Sequence, residues 1–236
     1  MDLKLKDVAE MLNVSETTIR RWLADNKIPA YKLQHQYRFD RAEIENWVMQ
    51  HKLKDETGIS PFSQNPKADS LSVATGGLKQ YGLTRAIKKG GVFNDIAGKT
   101  KEEVIRNTAH RIAPILEADE EVLAEFLLDR EKLQPTALGH GIAVPHTRDL
   151  ELNGDQEIVA VVYPEKPVDW KALDNKPVST LFFLFTSDNK THLHLLAKIA
   201  YLSSHQPALE LLNKKPSKEE LLEFMTGWES EIRSTL

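Results

Sequence analysis

The most informative stretch of the chain runs Leu138-Gly139-His140-Gly141-Ile142-Ala143-Val144-Pro145-His146-Thr147-Arg148. Its two glycines permit backbone conformations with positive φ and a close approach by a ligand or partner. The apolar run over residues 142–144 is typical of a short buried strand, and Pro145 ends the hydrogen-bonded ladder. His146 is therefore expected at a strand end, where a neutral imidazole nitrogen can act as a nucleophile near neutral pH.

This stretch resembles the phosphorylation-site motif of type-2 IIA proteins of the bacterial phosphotransferase system, in the branch that holds fructose, mannitol and nitrogen-regulatory proteins. The similarity covers about residues 81–230 and includes residues 128–136, 167–170 and 191–197. It implies a IIA-type α/β sandwich with a mixed sheet over residues 81–236. It also implies that His146 carries a phosphoryl group received from an HPr-like phosphocarrier.

Two further histidines, His192 and His194, fall on a helix predicted over residues 191–204. Because they are two positions apart, they point to opposite sides of that helix. His192 shares its face with apolar side chains, whereas His194 shares its face with Lys198 and is expected to be solvated. We place His192 in the first turn, whose free N–H groups attract anions. The resemblance implies that His192 is the second active-site histidine and hydrogen-bonds the phosphoryl group.

Arg130 matches the family arginine that precedes a Pro-Thr pair, which implies a phosphate-facing or supporting cation. On its own it would as readily be a surface charge at a helix end. Arg148 is a weaker candidate, because the family tolerates other residues there, and it could instead contact a protein partner. A rival interpretation is a zinc site that uses His140, His146, His192 and His194. We expect no metal and no cofactor, with His140 in an exposed loop.

Residues 1–53 predict a small winged helix-turn-helix domain. One helix is predicted near the start of the chain and a second after Ser15, a good N-cap. Two strands around residues 34–36 form a wing, and Asp40 with Glu43 makes a capping box for a third helix. The apolar faces of the three helices comprise Leu5, Val8, Ala9, Leu12, Ile19, Trp22, Leu23, Ile44, Trp47 and Val48. The pattern resembles excisionase/MerR-like domains.

The second helix directs polar side chains outward, as a recognition helix in a major groove requires. Residues 1–54 carry a net charge of +2, and residues 55–236 carry −6. A basic head on an acidic body favours duplex DNA as a partner. The alternative is a head that binds protein. The predicted DNA-binding residues are Thr17, Thr18, Arg20, Arg21, Lys32 and Arg38.

The composition is that of a globular protein, with 236 residues, 41% hydrophobic and 28% charged. The absence of cysteine excludes disulfides and Cys-based zinc sites. The apolar runs are too short to span a bilayer, and no signal peptide is evident, so we expect a cytoplasmic protein without membrane partners. Residues 54–80 are polar and rich in Pro and Gly, which predicts a linker before the domain of residues 81–236.

Together these features predict a regulatory phosphoryl carrier rather than a stand-alone enzyme. Its phosphorylation state is expected to control binding of DNA or of a target regulatory protein, in a homodimer. No segment resembles a IIB domain or a permease. The alternative is a sugar-uptake component that passes phosphate to a separate IIB protein. Phosphorylation could draw the head onto the body and cover Arg20 and Arg21, or it could release the head.

Overall fold

The computed structural model describes residues 3–12, 14–33, 36–51, 81–147, 150, 152, 154 and 156–235. The predicted linker, residues 54–80, and the candidate Arg148 lie outside these residues. Within the described ranges, a small three-stranded sheet with three helices precedes a five-stranded sheet with six helices. None of the helices described there is long and apolar enough to cross a membrane.

The head, which we define as residues 3–51, has the predicted winged helix-turn-helix architecture. Besides the two predicted strands of the wing, the head has a short strand at its start, β1 (Leu3–Lys4). The sequence does not predict this strand, because two residues are too few to show an alternation of polar and apolar side chains. In the sheet, β3 lies between β1 and β2 and is antiparallel to both. The elements are β1 (Leu3–Lys4), α1 (Leu5–Leu12), α2 (Glu16–Ala24), β2 (Tyr31–Leu33), β3 (Gln36–Phe39) and α3 (Arg41–His51).

Both predicted helix caps of the head are present. The Ser15 hydroxyl accepts a hydrogen bond from the Thr18 N–H at 3.1 Å and begins α2. The Asp40 carboxylate accepts from the Glu43 N–H at 3.0 Å and begins α3. These bonds satisfy backbone donors that the first turn of a helix leaves without a partner. The ends of α2 and α3 are therefore fixed by local sequence.

The body, residues 81–235, is an α/β sandwich around a mixed sheet, as predicted. The strand order is β4-β7-β8-β6-β5, with β4/β7 and β6/β8 parallel and the other two pairs antiparallel. The elements are α4 (Gly82–Gly90), β4 (Val92–Ile96), α5 (Lys101–Leu116), α6 (Glu120–Leu133), β5 (Ala137–Gly139), β6 (Ile142–Ala143), β7 (Glu157–Pro164), β8 (Thr180–Thr186), α7 (Asn189–Leu202), α8 (Gln206–Leu212) and α9 (Lys218–Thr235).

The central strands bury side chains on both faces of the sheet. Alternation along β7 sends Val159, Val161 and Tyr163 into one hydrophobic cluster and Ile158, Ala160 and Val162 into another. The second cluster contains α5 and α6, and the first contains α4, α7, α8 and α9. Such two-sided burial explains why β7 and β8 read as nearly continuous apolar runs in the sequence.

Head and body share one hydrophobic core. The cluster on the α7 side of the sheet includes Val8, Ile44 and Val48 of the head together with Leu193 and Leu196 of α7. The helices α1 and α3 both pack against α7. The head is thus docked on the body, at the edge where the parallel strands β6 and β8 end.

Candidate functional site

His146 is held at the end of β6 by the sheet itself. It forms an isolated parallel bridge with Leu184 of β8, and the Leu184 N–H donates to the Pro145 carbonyl at 3.0 Å. The side chain is fully buried. The predicted strand-end position is therefore observed, and the backbone on either side of the imidazole is fixed by strand pairing.

The hydrogen bonds of His146 assign its tautomer. Its Nδ1 lies 2.7 Å from the Val144 carbonyl oxygen, which can only accept, so Nδ1 carries the proton. The other ring nitrogen, Nε2, then has its lone pair available, and the Nε–H of Arg130 donates toward it at 3.1 Å. In this tautomer, the ring nitrogen that could act as a nucleophile is consequently Nε2.

The surroundings of His146 keep its imidazole neutral. Burial away from water lowers its pKa to about 3, and the positive charges of Arg130 and Arg41 act in the same direction. The bond to the Val144 carbonyl opposes this shift without reversing it. A neutral ring at physiological pH is the form that can accept an electrophile.

His192 lies beside His146, as the face argument predicts. The two ring centroids are 5.1 Å apart at an interplanar angle of 62°, and His192 is 2% exposed. The helix begins two residues earlier than predicted, however, and Asp188 caps it by accepting from the Thr191 N–H. The N–H of His192 already donates to the Asp188 carbonyl at 3.0 Å. The expectation that a free N–H at this position attracts anions is therefore wrong.

Arg130 reaches the site from the last turn of α6. Besides its bond to His146, it donates through Nη1 to the Gln134 carbonyl at 3.1 Å. Burial lowers the pKa of Arg130 and the neighbouring Glu131 carboxylate opposes that shift, but a guanidinium stays charged in proteins. The structure thus brings His146, His192 and Arg130 together.

A buried network behind Arg130 was not evident from the sequence. Glu131 is 2% exposed and accepts from the Thr136 hydroxyl at 2.6 Å and from Lys101 at 3.3 Å. The Trp170 indole N–H donates to the same hydroxyl at 3.3 Å. Burial raises the pKa of Glu131. Its contacts join the end of α6 to the segment before β5, which positions Arg130.

The sequence offers one signal for this network, because Glu131 directly follows the candidate Arg130. A Glu on the last turn of a helix is ordinarily solvated. Only the packing of α5 and residue 170 against that turn makes this one buried, and a single sequence does not show that packing.

The rival zinc site is not assembled as proposed. His140 is exposed on the turn between β5 and β6, as expected, and His194 is half-buried rather than solvated, beside a Lys198 that pairs with Glu229. Among the described residues, the donors that do converge are Glu45, His146 and His192, with one ligand atom from each within 4.8 Å.

These three donors face guanidinium groups. Arg130 donates to Nε2 of His146, and Arg41 donates to the Glu45 carboxylate at 3.0 Å. Two cations beside the same atoms repel a divalent metal and attract an anion. The two guanidinium groups therefore favour an anion at this position over zinc, and in this structure the anion is the Glu45 carboxylate.

Glu45 of α3 closes the site from the head. It is fully buried, and its Oε2 lies 4.0 Å from Nε2 of His146. The adjacent Asn46 accepts from Nη2 of Arg130 at 3.5 Å. Arg41 and Glu45 are four residues apart, a spacing normally found on exposed helix faces. That pattern explains why the sequence does not single out Glu45.

The predicted DNA-binding residues of α2 form an outward face. Thr17, Arg20 and Arg21 are exposed at helix spacings of three and four, with the Arg20 side chain 66% exposed. Thr18 differs: its hydroxyl bonds to that of Ser15 at 2.9 Å and belongs to the cap.

The two wing residues differ in how accessible they are. Lys32 is exposed, with its ammonium 5.2 Å from the centroid of the Tyr37 ring. Arg38 is half-buried and donates to the Gln36 side chain at 2.8 Å and to the Tyr37 carbonyl. A phosphate contact by Arg38 would therefore have to replace these internal bonds.

Comparison with protein-family models identifies the family to which the body belongs. The family model described as "Phosphoenolpyruvate-dependent sugar phosphotransferase system, EIIA 2" matches residues 85–227, and a helix-turn-helix domain model matches residues 3–52. The first match covers more than half of the chain, and the chain belongs to the type-2 EIIA family of the phosphotransferase system.

Within that family, the chain is similar to nitrogen regulatory proteins. It is 35% identical to one from Pseudomonas aeruginosa, over 61% of this chain and 94% of that protein. It is 32% identical to one from Escherichia coli, over 56% of this chain and 81% of that protein. The crystal structure of nitrogen regulatory protein IIA-Ntr from Neisseria meningitidis matches with a TM-score of 0.53 at 29% identity, covering 57% of this chain and 92% of that chain.

Proposed function

We propose that this chain is a regulatory IIA protein that accepts a phosphoryl group on Nε2 of His146 from an HPr-like phosphocarrier. The observation that carries this proposal is the assigned tautomer, with Nδ1–H bonded to the Val144 carbonyl and the Nε2 lone pair turned toward Arg130. The similarity to nitrogen regulatory proteins supports a regulatory role over sugar uptake.

The transfer step follows from that tautomer. The Nε2 lone pair attacks phosphorus in the phosphocarrier, the bond between phosphorus and the donor atom breaks, and the donor leaves with the electron pair. His146 keeps its Nδ1 proton, so the phosphorylated ring carries a positive charge that the Val144 carbonyl oxygen stabilises at 2.7 Å. The fixed carbonyl thus favours the product as well as the reactive tautomer.

His192 and Arg130 have supporting roles in this proposal. The Arg130 guanidinium, which already points at Nε2, would neutralise oxygens of the phosphoryl group as its charge spreads in the transition state. The His192 imidazole, with its ring centre 5.1 Å from that of His146, would donate a hydrogen bond to the same group. Neither residue accepts phosphorus.

The head supplies the regulatory output. The exposed face of α2, with Thr17, Arg20 and Arg21, suits the major groove of duplex DNA, and Lys32 and Arg38 extend the cationic surface along the wing. We propose that the protein acts in the cytoplasm as a homodimer and binds DNA or a target regulatory protein. No membrane partner is part of this proposal.

The test is phosphorylation of the full chain by phosphoenolpyruvate, Enzyme I and HPr, followed by mapping of the labelled residue. We expect acid-labile, base-stable label on residue 146 and none in the His146→Ala variant. The matched control is His110→Ala, which removes an exposed histidine of α5 and should label like the wild type. Full labelling of His146→Ala would rule out the proposed acceptor.

A further inference from the structure

The docked head covers the atom to which phosphorus must bind. Glu45 Oε2 lies 4.0 Å from Nε2 of His146, and both side chains are fully buried. A phosphorus atom bonded to Nε2, together with its three outer oxygens, does not fit between Nε2 and another oxygen at that distance. The docked head and a phosphorylated His146 therefore cannot share this arrangement.

Glu45 also carries a negative charge, which the two arginines beside His146 attract. Its carboxylate accepts from Arg41 at 3.0 Å, and Arg130 lies at the same imidazole nitrogen. A buried carboxylate is tolerated only where cations and hydrogen bonds compensate for the lost water. In the docked state the head's own carboxylate thus takes the place of the phosphoryl anion.

Two more residues of α3 anchor the head at this edge of the body. Asn46 accepts from Nη2 of Arg130 at 3.5 Å, and the negative charge of Asp188 acts on Arg41, partly opposing the lowering of the Arg41 pKa by burial. Around these polar contacts, α1 and α3 share the hydrophobic core of α7. The contact is therefore an extended docking surface rather than a single ion pair.

The face of the head that docks differs from the face proposed to bind DNA. Docking uses α1 and α3, whereas Thr17, Arg20 and Arg21 of α2 remain exposed. In this arrangement the docked head leaves Arg20 and Arg21 exposed. What docking covers is the phosphoryl-acceptor site.

We propose that the head is an intramolecular plug of the acceptor site: α3 places the Glu45 carboxylate in the phosphoryl position, so head docking and phosphorylation of His146 exclude each other. This inference rests on the proposed function, because it assigns a regulator to the same acceptor. The phosphocarrier reaches His146 only when the head is undocked. Once attached, the phosphoryl dianion repels Glu45 and keeps the head released.

The first test measures the initial rate of phosphorylation of the full chain by the phosphocarrier. Glu45→Lys places a cation among Arg41 and Arg130 and should undock the head, raising the rate by about 5- to 150-fold, the usual range for coupled sites. Glu45→Gln, which keeps the shape of the side chain, should give a smaller increase. Glu16→Lys makes the same charge change at an exposed position of α2, outside the docking surface formed by α1 and α3, and should leave the rate unchanged.

The second test follows docking directly and does not depend on phosphorylation. The chain has no cysteine, so Ala24→Cys on the head and Lys166→Cys on the body can carry two spin labels at exposed positions. Pulsed electron resonance should give one narrow distance in the unphosphorylated protein and in Glu16→Lys. The distance should become longer or broader in Glu45→Lys and after phosphorylation.

The outcomes separate the two proposals. Absence of label on His146 in every variant overturns the proposed function, while the spin-label distances still decide whether Glu45 holds the head on the body. Normal labelling of His146 with equal rates in the wild type and Glu45→Lys overturns the plug. A distance distribution that is broad in the wild type, or the same in Glu45→Lys, overturns it as well.

Discussion

At the scale of single residues, the burial of His146 makes a prediction about stability. Its pKa is about 3 in the folded protein and about 6.5 in an unfolded chain. Between these values the unfolded chain binds a proton that the folded protein does not, so the free energy of unfolding decreases as the pH falls below about 6.5. Above that pH His146 is neutral in both states and contributes no slope.

The measurement is urea unfolding at pH 7.5 and 5.5 for the wild type and His146→Gln, which cannot titrate. Between these pH values the free energy of unfolding should fall by about 1.4 kcal/mol more in the wild type than in the variant. This is the effect of one proton bound only by the unfolded chain over the one pH unit below 6.5. Equal losses in the two proteins would mean that residue 146 is accessible to protons in the folded state.

His192 yields a kinetic prediction at the same scale. Its proposed hydrogen bond forms to the phosphoryl group in transit, so its loss should slow transfer without moving the acceptor. His192→Ala should label about 10²–10³-fold more slowly, still on His146. His194→Ala, two positions along the same helix, is the control. If His192→Ala were phosphorylated at the wild-type rate, the role of His192 would be packing alone.

Residues with short-range roles are those that the sequence predicts well. Ser15 and Asp40 cap their helices because the donors they satisfy lie three residues away. His146 and Arg130 are singled out because a family motif carries them, and the structure places their side chains 3.1 Å apart. Glu45 is missed because its role arises from a contact with a residue about a hundred positions away, and its spacing from Arg41 is that of an ordinary surface pair.

At the scale of elements, the packing of α4 on β7 sets a strict size limit at Gly90. A Cβ atom there would lie 2.3 Å from the Val159 carbonyl oxygen, which is backbone and cannot rotate away. Gly90→Ala should therefore destabilise the protein by about 1–3 kcal/mol or more through overpacking. Chemical denaturation of the purified variant measures this.

The matched control is Gly227 in α9, where an added Cβ meets nothing within 4 Å. Alanine in a helix interior is favoured over glycine by roughly 0.5–1 kcal/mol, so Gly227→Ala should be neutral or stabilising. If both variants lost the same stability, close packing of α4 on β7 would not be the cause.

Element prediction from the sequence succeeds for periodic segments and fails where length or packing decides. The apolar face of α1 and the buried runs of β7 and β8 are evident in the sequence, and the mixed IIA-type sheet is confirmed. The start of α7 is misplaced by two residues, because Asp188 rather than a later residue caps it. Strand β1 is two residues long and depends entirely on its partner β3.

At the scale of the whole molecule, the head should bind duplex DNA through charges on α2. Replacing Arg20 and Arg21 by Ala should weaken binding to all sequences and make it less dependent on salt. The magnitude of the slope of log K against log salt should fall by about 0.9 for each DNA phosphate that the variant no longer neutralises. Fluorescence anisotropy over a salt series measures both effects.

The control for this prediction is the double replacement of Lys88 and Lys89 by Ala, which removes two exposed cations from α4 of the body. That variant should bind DNA with the wild-type salt slope. If the wild type fails to bind any duplex at low salt, the head is instead a protein-binding module.

The arrangement of the whole molecule is what the sequence does not reveal. A polar segment rich in Pro and Gly between two recognisable patterns predicts two domains joined by a linker and does not predict how they pack together. In the structure, Val8 and Ile44 of the head lie in one core with Leu193 of the body. Apolar residues of α1 and α3 serve both the core of the head and its docking surface, and periodicity alone does not separate these two uses.

The central claim is that Nε2 of His146 accepts the phosphoryl group while Nδ1 keeps its proton. Nitrogen NMR of the full chain with ¹⁵N-labelled histidine, before and after phosphorylation by phosphoenolpyruvate, Enzyme I and HPr, tests it most directly. We predict that phosphorus couples to Nε2 of His146, with Nδ1–H still protonated and His192 unmodified. Phosphorus coupled to Nδ1 of His146, or to a nitrogen of His192, would contradict it.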